Sequence, residues 1–126
     1  MDMRLELVLL PVTDVDRAKT FYADKLGFNV DVDHRASDEF RVVQLTPPGS
    51  ACSIAIGTGI VGTPPGSVQG LHLVVADIHA ARKELLERGV EISEVEELTQ
   101  PGKPSVFYAH FEDPDGNGWA LQQLPY

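Results

Sequence analysis

Val12-Thr-Asp-Val-Asp-Arg-Ala-Lys19 and Val75-Ala-Asp-Ile-His-Ala-Ala-Arg82 are two versions of one phrase, and their recurrence decides the fold. Each follows a short apolar run. Each also carries an Asp able to cap a helix, Asp14 in the first copy and Asp77 in the second. Two further pairs keep the same order: Leu26-Gly-Phe-Asn-Val30 matches Arg88-Gly-Val-Glu-Ile92, and Pro48-Gly-Ser-Ala-Cys-Ser-Ile54 matches Asp115-Gly-Asn-Gly-Trp-Ala-Leu121. A self-similarity of this length means that one supersecondary unit is used twice.

Reading outward from the phrase gives the content of that unit. Leu5 to Val12 is a short apolar strand closed by a turn-like Pro-Val-Thr-Asp. Val15 to Leu26 has apolar residues at helical spacing, and Gly27 stops it. Asn29 to Arg35, Phe40 to Thr46 and Ala51 to Ile56 read as strands. After a Gly- and Pro-rich stretch the order returns: strand Leu71 to Ala76, a helix from Asp77 to Arg88, and strand Val90 to Val95. A polar loop from Glu96 to Pro104, strand Ser105 to Glu112 and strand Trp119 to Leu124 complete the chain. The prediction is an α+β protein of two tandem βαβββ modules forming a curved mixed sheet around a shared cleft. Module one takes residues 1–57, a linker 58–69 and module two 70–126, within one domain.

Composition narrows the function. The 126 residues are 43% hydrophobic and 23% charged, a globular profile. Ten Lys and Arg face nineteen Asp and Glu, a net charge of −9 that argues against phosphate-backbone binding and against an anionic membrane surface. Cys52 is the one cysteine, in an apolar alternating stretch, and reads as a core thiol. Glu6 and Pro11 interrupt the first apolar run, so it is no signal-peptide core or membrane span, and the cytoplasm is the expected compartment.

Leu9-Leu-Pro-Val-Thr-Asp-Val-Asp-Arg-Ala-Lys-Thr-Phe-Tyr22 with Lys25-Leu-Gly-Phe28 resembles the opening of the vicinal oxygen chelate superfamily. Asp113-Pro-Asp-Gly-Asn-Gly-Trp-Ala-Leu-Gln122 resembles its closing hairpin. That superfamily holds glyoxalase I, extradiol dioxygenases, and fosfomycin- and bleomycin-resistance proteins, and one fold serves many chemistries there. The resemblance implies a homodimer. It also implies a divalent metal held by His, Glu or Gln from the first and last strands of each module. Counted from the matched motifs, those places fall on Leu7, Ser53, Gly70 and Ala120, none of which is a good ligand. No metal is therefore expected. Glu6 lies on the opposite strand face from Leu7, whereas His72 keeps the face of Gly70.

Strand parity predicts the lining of the cleft. Pairing Glu112 with Gly118 sets Phe107, Phe111, Trp119 and Leu121 under the helices and Tyr108, His110, Ala120 and Gln122 towards the cleft. The same construction in module one adds Arg41, Val43, Ser53 and Ala55, with Leu7, Leu9 and His72 from the first strands. Arg41 could clamp a carboxylate or pair with one of the chain's own acids. His72 and His110 are the candidate acid–base residues. The expected function is to bind a small hydrophobic or aromatic molecule, an antibiotic or secondary metabolite, without a metal. The alternatives are a glyoxalase-type lyase or dioxygenase using His72, His110, Glu6 and Glu112 as metal donors, and a metal-free enzyme using a cleft histidine.

Overall fold

The computed structural model describes residues 1–125. They fall into two compact units, Met1–Val68 with Pro114–Asn117, and Gln69–Asp113 with the residues from Gly118 onward. In the first unit β1 (Leu7–Leu9) leads to α1 (Val15–Thr20), which continues as one π-helical turn, Phe21–Lys25. β2 (Asn29–Ser37), β3 (Phe40–Thr46) and β4 (Ser53–Thr58) follow. The sheet order is β1-β4-β3-β2, with β1 parallel to β4 and the remaining pairs antiparallel. The second unit repeats the plan with β5 (Leu71–Val74), α2 (Ile78–Glu87), β6 (Glu96–Leu98), β7 (Val106–Glu112) and β8 (Gly118–Gln123) in the order β5-β8-β7-β6. The chain is thus α+β, two tandem modules each built on a four-stranded mixed sheet. No helix among the described residues is long and apolar enough to cross a membrane.

Both helices start where the repeated Asp lies. Asp14 accepts a hydrogen bond from the Arg17 amide, and Asp77 accepts one from the Ala80 amide, each at 3.1 Å. The helix expected as one piece over Val15 to Leu26 changes pitch at Phe21. The Leu26 amide donates to the Phe21 carbonyl at 3.1 Å, five residues back. The wider turn lets the adjacent Phe21 and Tyr22 both be buried, with ring centroids 5.2 Å apart. Gly27, at φ +77°, then turns the chain so that Phe28 returns to Tyr22.

The strand expected over Val90 to Val95 does not form. Ile92 makes a single bridge to Phe111, and the ladder resumes at β6, where Glu96 opposes Tyr108. Ser93 causes the break. Its amide donates to the His110 carbonyl, but the His110 amide donates back to the Ser93 hydroxyl at 2.8 Å. The Ser93 carbonyl instead accepts from Arg82 Nε at 2.7 Å. A side-chain oxygen has taken the ladder position of a backbone one, and the register steps by a residue.

Pairing also corrects the facing of two predicted cleft residues. In β3 and β4, Arg41 opposes Thr58, Val43 opposes Ile56 and Leu45 opposes Ile54. Opposed residues share a face, so Arg41 and Val43 lie with the buried Leu45, Ile54 and Ile56, away from Ser53 and Ala55. The expected pairing carried module two's hairpin parity into module one. Five residues separate Glu112 from Gly118, whereas eight separate Leu45 from Ile54, and an odd-to-even change reverses every side chain of one strand. Arg41 is accordingly structural: Nε and Nη2 grip both Asp33 oxygens at 3.0 and 2.9 Å, and Nη1 reaches Asp16 of α1 at 2.8 Å.

The turn Pro114–Asn117, which groups with the first unit, is more than a hairpin connection. Asp115 accepts from the Thr13 amide at 3.2 Å and its hydroxyl at 2.6 Å, and Arg17 donates to the Pro114 carbonyl at 2.6 Å. Asn117, fully buried, donates Nδ2 to the Pro11 carbonyl at 2.9 Å and accepts the Val68 amide at 3.1 Å.

Candidate functional site

In module one the face opposite Arg41 carries Leu7 beside Ser53 and Leu9 beside Ala55. Leu7 and Leu9 are 39% and 38% exposed, and β2 contributes Val32 at 44% on the same face beside Gln44. Ser53 is nearly enclosed, its hydroxyl 2.6 Å from that of Thr46, which also donates to the Asp31 carboxylate. This is an apolar surface with one small polar network.

Module two brings five predicted residues together. The ladders set His110, Ala120 and His72 in one cross-strand row, and Tyr108, Gln122 and Val74 in the next. Glu96 closes the second row at the edge strand β6. His72 and Tyr108 meet edge to face with ring centroids 6.0 Å apart, and Tyr108 lies parallel to His110 at 6.4 Å. Ala120 puts only a methyl between the two histidines and is itself buried. Gln122 Nε2 donates to the Tyr108 hydroxyl at 3.0 Å, and His72 Nδ1 donates to the Gly70 carbonyl at 2.7 Å. Phe107, Phe111, Trp119 and Leu121 occupy the other face, as parity predicts, where Phe111 stacks on Trp119 at 6.2 Å.

The same pairing shifts one position counted from the motifs. His72, not Gly70, opposes Ala120, just as Leu7 opposes Ser53. Counting back from the capping Asp misses this, because the stretch from paired residue to cap is two residues shorter in module two (His72 to Asp77 against Leu7 to Asp14). The paired positions are therefore Leu and Ser in one module, His and Ala in the other: one imidazole among four places. Among the described residues no three His, Cys, Asp or Glu side chains group so as to hold a metal. A single imidazole is short of the three or four donors that such a divalent ion takes.

Residues 4–121 match the Glyoxalase/Bleomycin resistance protein/Dioxygenase superfamily. The chain belongs to this superfamily. Among solved structures it is similar to TnmS3, an antibiotic-binding protein from Streptomyces sp. CB03234, at 33% identity and TM-score 0.79, covering 97% of this chain and 96% of that one. A glyoxalase/bleomycin resistance protein from the same Streptomyces strain is 33% identical with TM-score 0.77, over 95% of this chain and all of that one. A superfamily member from Sphaerobacter thermophilus DSM 20745 is 30% identical with TM-score 0.79, over 98% of both chains. The uncharacterized protein YetH of Bacillus subtilis is 25% identical over 98% of this chain and its own full length.

Two features of this superfamily member were not legible as site or scaffold elements. The Asp-Pro-Asp-Gly-Asn motif reads locally as turn chemistry, yet Asp115 and Asn117 bind residues about a hundred positions away in sequence. The Ser53–Thr46–Asp31 network spans three strands and has no local signature.

Proposed function

We propose that this protein binds a small, largely apolar aromatic molecule on the open sheet face of module two, and does so without a metal. The carrying observation is the three-ring platform of His72, Tyr108 and His110 around Ala120, with Gln122 as the hydrogen-bonding group beside it. Flat aromatic surfaces with few directed polar groups suit planar ligands, through offset stacking and edge contacts. Similarity to an antibiotic-binding protein supports an antibiotic or secondary metabolite as the ligand class. His72 and His110 act here as ring surface and hydrogen-bonding groups. The apolar face of module one, with Leu7 and Leu9, supplies a second surface for the same kind of molecule or for a second copy of the chain in a homodimer.

The test is thermal shift against planar aromatic antibiotics, repeated in excess EDTA. A ligand at one hundred times its dissociation constant should stabilise the fold by about 2.7 kcal/mol. That shift should persist in chelator and fall in Tyr108→Ala. Disappearance of binding in EDTA would overturn the metal-free reading.

A further inference from the structure

The platform fixes which hydrogen-bonding atoms it can offer, and the inference drawn from this rests on the reading of that face as the ligand's seat. A carbonyl oxygen accepts and cannot donate, so the 2.7 Å contact of His72 Nδ1 with the Gly70 carbonyl puts the ring proton on Nδ1. With the Nδ1 proton committed to that carbonyl, Nε2 is the ring nitrogen whose unshared pair can face a ligand. At Tyr108 the opposite holds. Gln122 Nε2 donates to the phenol oxygen at 3.0 Å, which occupies an acceptor site and leaves the phenol proton to be given away. His72 is on β5 and Tyr108 on β7, the two strands that flank β8, and their rings are 6.0 Å apart. One committed acceptor and one committed donor are thus neighbours on one aromatic surface.

We propose that this face selects a planar aromatic ligand through an edge carrying an N–H beside a C=O, as in a cyclic lactam or imide. His72 Nε2 accepts from the ligand N–H, and the Tyr108 hydroxyl donates to its carbonyl. A ring that offers only one of the two leaves a protein group unmatched and binds more weakly, whereas stacking area alone does not discriminate.

Two probes separate these contributions: isoquinolin-1(2H)-one, which has the paired edge, and its N-methyl derivative, which keeps the ring and carbonyl but has no donor. Amide chemical-shift titration gives the affinity and the location for each. The wild-type chain should prefer the N–H lactam by about threefold to tenfold, with shifts centred on β5, β7 and β8. His72→Leu should bring that ratio to about one, and Tyr108→Phe should weaken both probes. Equal wild-type affinity for the two probes, or a ratio unchanged in His72→Leu, overturns the inference while leaving an aromatic-binding face. Absence of shifts with either probe at millimolar concentration overturns the inference and the proposed function together.

Discussion

Replacing Asn117 by Ala removes a side chain that is fully buried in the turn between β7 and β8. Two of its hydrogen bonds differ in what their loss costs. The Pro11 carbonyl, accepting from Nδ2 at 2.9 Å, keeps a longer contact from the Gly66 amide at 3.4 Å, so its loss is about 0.5–1.5 kcal/mol. The Val68 amide gives its hydrogen to Oδ1 at 3.1 Å, and stranding a half-buried donor costs about 1–3 kcal/mol. Together the substitution should destabilise the first unit by about 2–4 kcal/mol, a large share of the stability of any domain this size. Urea unfolding followed by far-ultraviolet circular dichroism is the assay. With a slope of about 2 kcal/mol per molar, the midpoint should fall by about 1–2 M at unchanged slope. Asn117→Asp sharpens the experiment. It keeps the acceptor for Val68 but sets a carboxylate against the Pro11 carbonyl, so it should recover stability when acid protonates it and Asn117→Ala should not. A loss below about 0.5 kcal/mol for Asn117→Ala, or parallel pH profiles for the two variants, would refute the assignment of these bonds.

Asp33 supplies a prediction with a definite sign. Hydrogen bonds from Arg41 and then Lys19 hold its carboxyl well below the usual carboxylate range. A depressed folded-state value stabilises the fold fully above about pH 4, and the contribution disappears as pH falls further towards the folded value. Asp33→Asn should therefore be less stable than wild type at pH 7, and the gap should narrow between about pH 4 and pH 2; a gap constant with pH in urea titrations would contradict this. Gly57→Ala should cost about 3 kcal/mol or more, because a Cβ there would be 2.0 Å from the Arg41 carbonyl oxygen, and calorimetry should show the drop. Ile56→Ala, at a fully buried β4 position, should cost about 2–5 kcal/mol by the same measure, whereas Val74→Ala, 60% exposed, should cost far less.

Much of this architecture is written in the sequence because its signals are local. The repeated Asp caps, the glycines after each helix and the apolar periodicity locate both helices and seven of the eight strands, because each is set by the backbone chemistry of a few neighbouring residues. The five-residue turn after Glu112 also fixes the facing of β7 and β8, so His110, Ala120, Tyr108 and Gln122 could be grouped correctly. What escaped depends on chain that is not adjacent. The parity of β3 against β4 is decided by how the Pro47-to-Cys52 loop closes, and reading it one residue out placed Arg41 and Val43 on the wrong face. Ser93 broke a strand by bonding to β7, which no pattern within Val90 to Val95 announces. Arg41 shows the same limit from the other side. Its charge suggested either a ligand clamp or an internal ion pair, and only the placement of Asp16 and Asp33 around it selects the second.

The membership of residues 114–117 in the first unit has a consequence for how the chain is made. A ribosome releases the polypeptide from its N-terminus, and the first sixty-eight residues emerge without the segment that closes the β1-to-α1 loop. Synthesis runs at about 5–20 residues per second, so that segment follows after a delay of about 2–10 s. During the delay the Val68 amide and the Pro11 carbonyl lack Asn117. Completion of the first unit therefore waits on residues 114–117, and a nascent chain stalled near residue 100 should be markedly more protease-sensitive in its N-terminal part than the released protein.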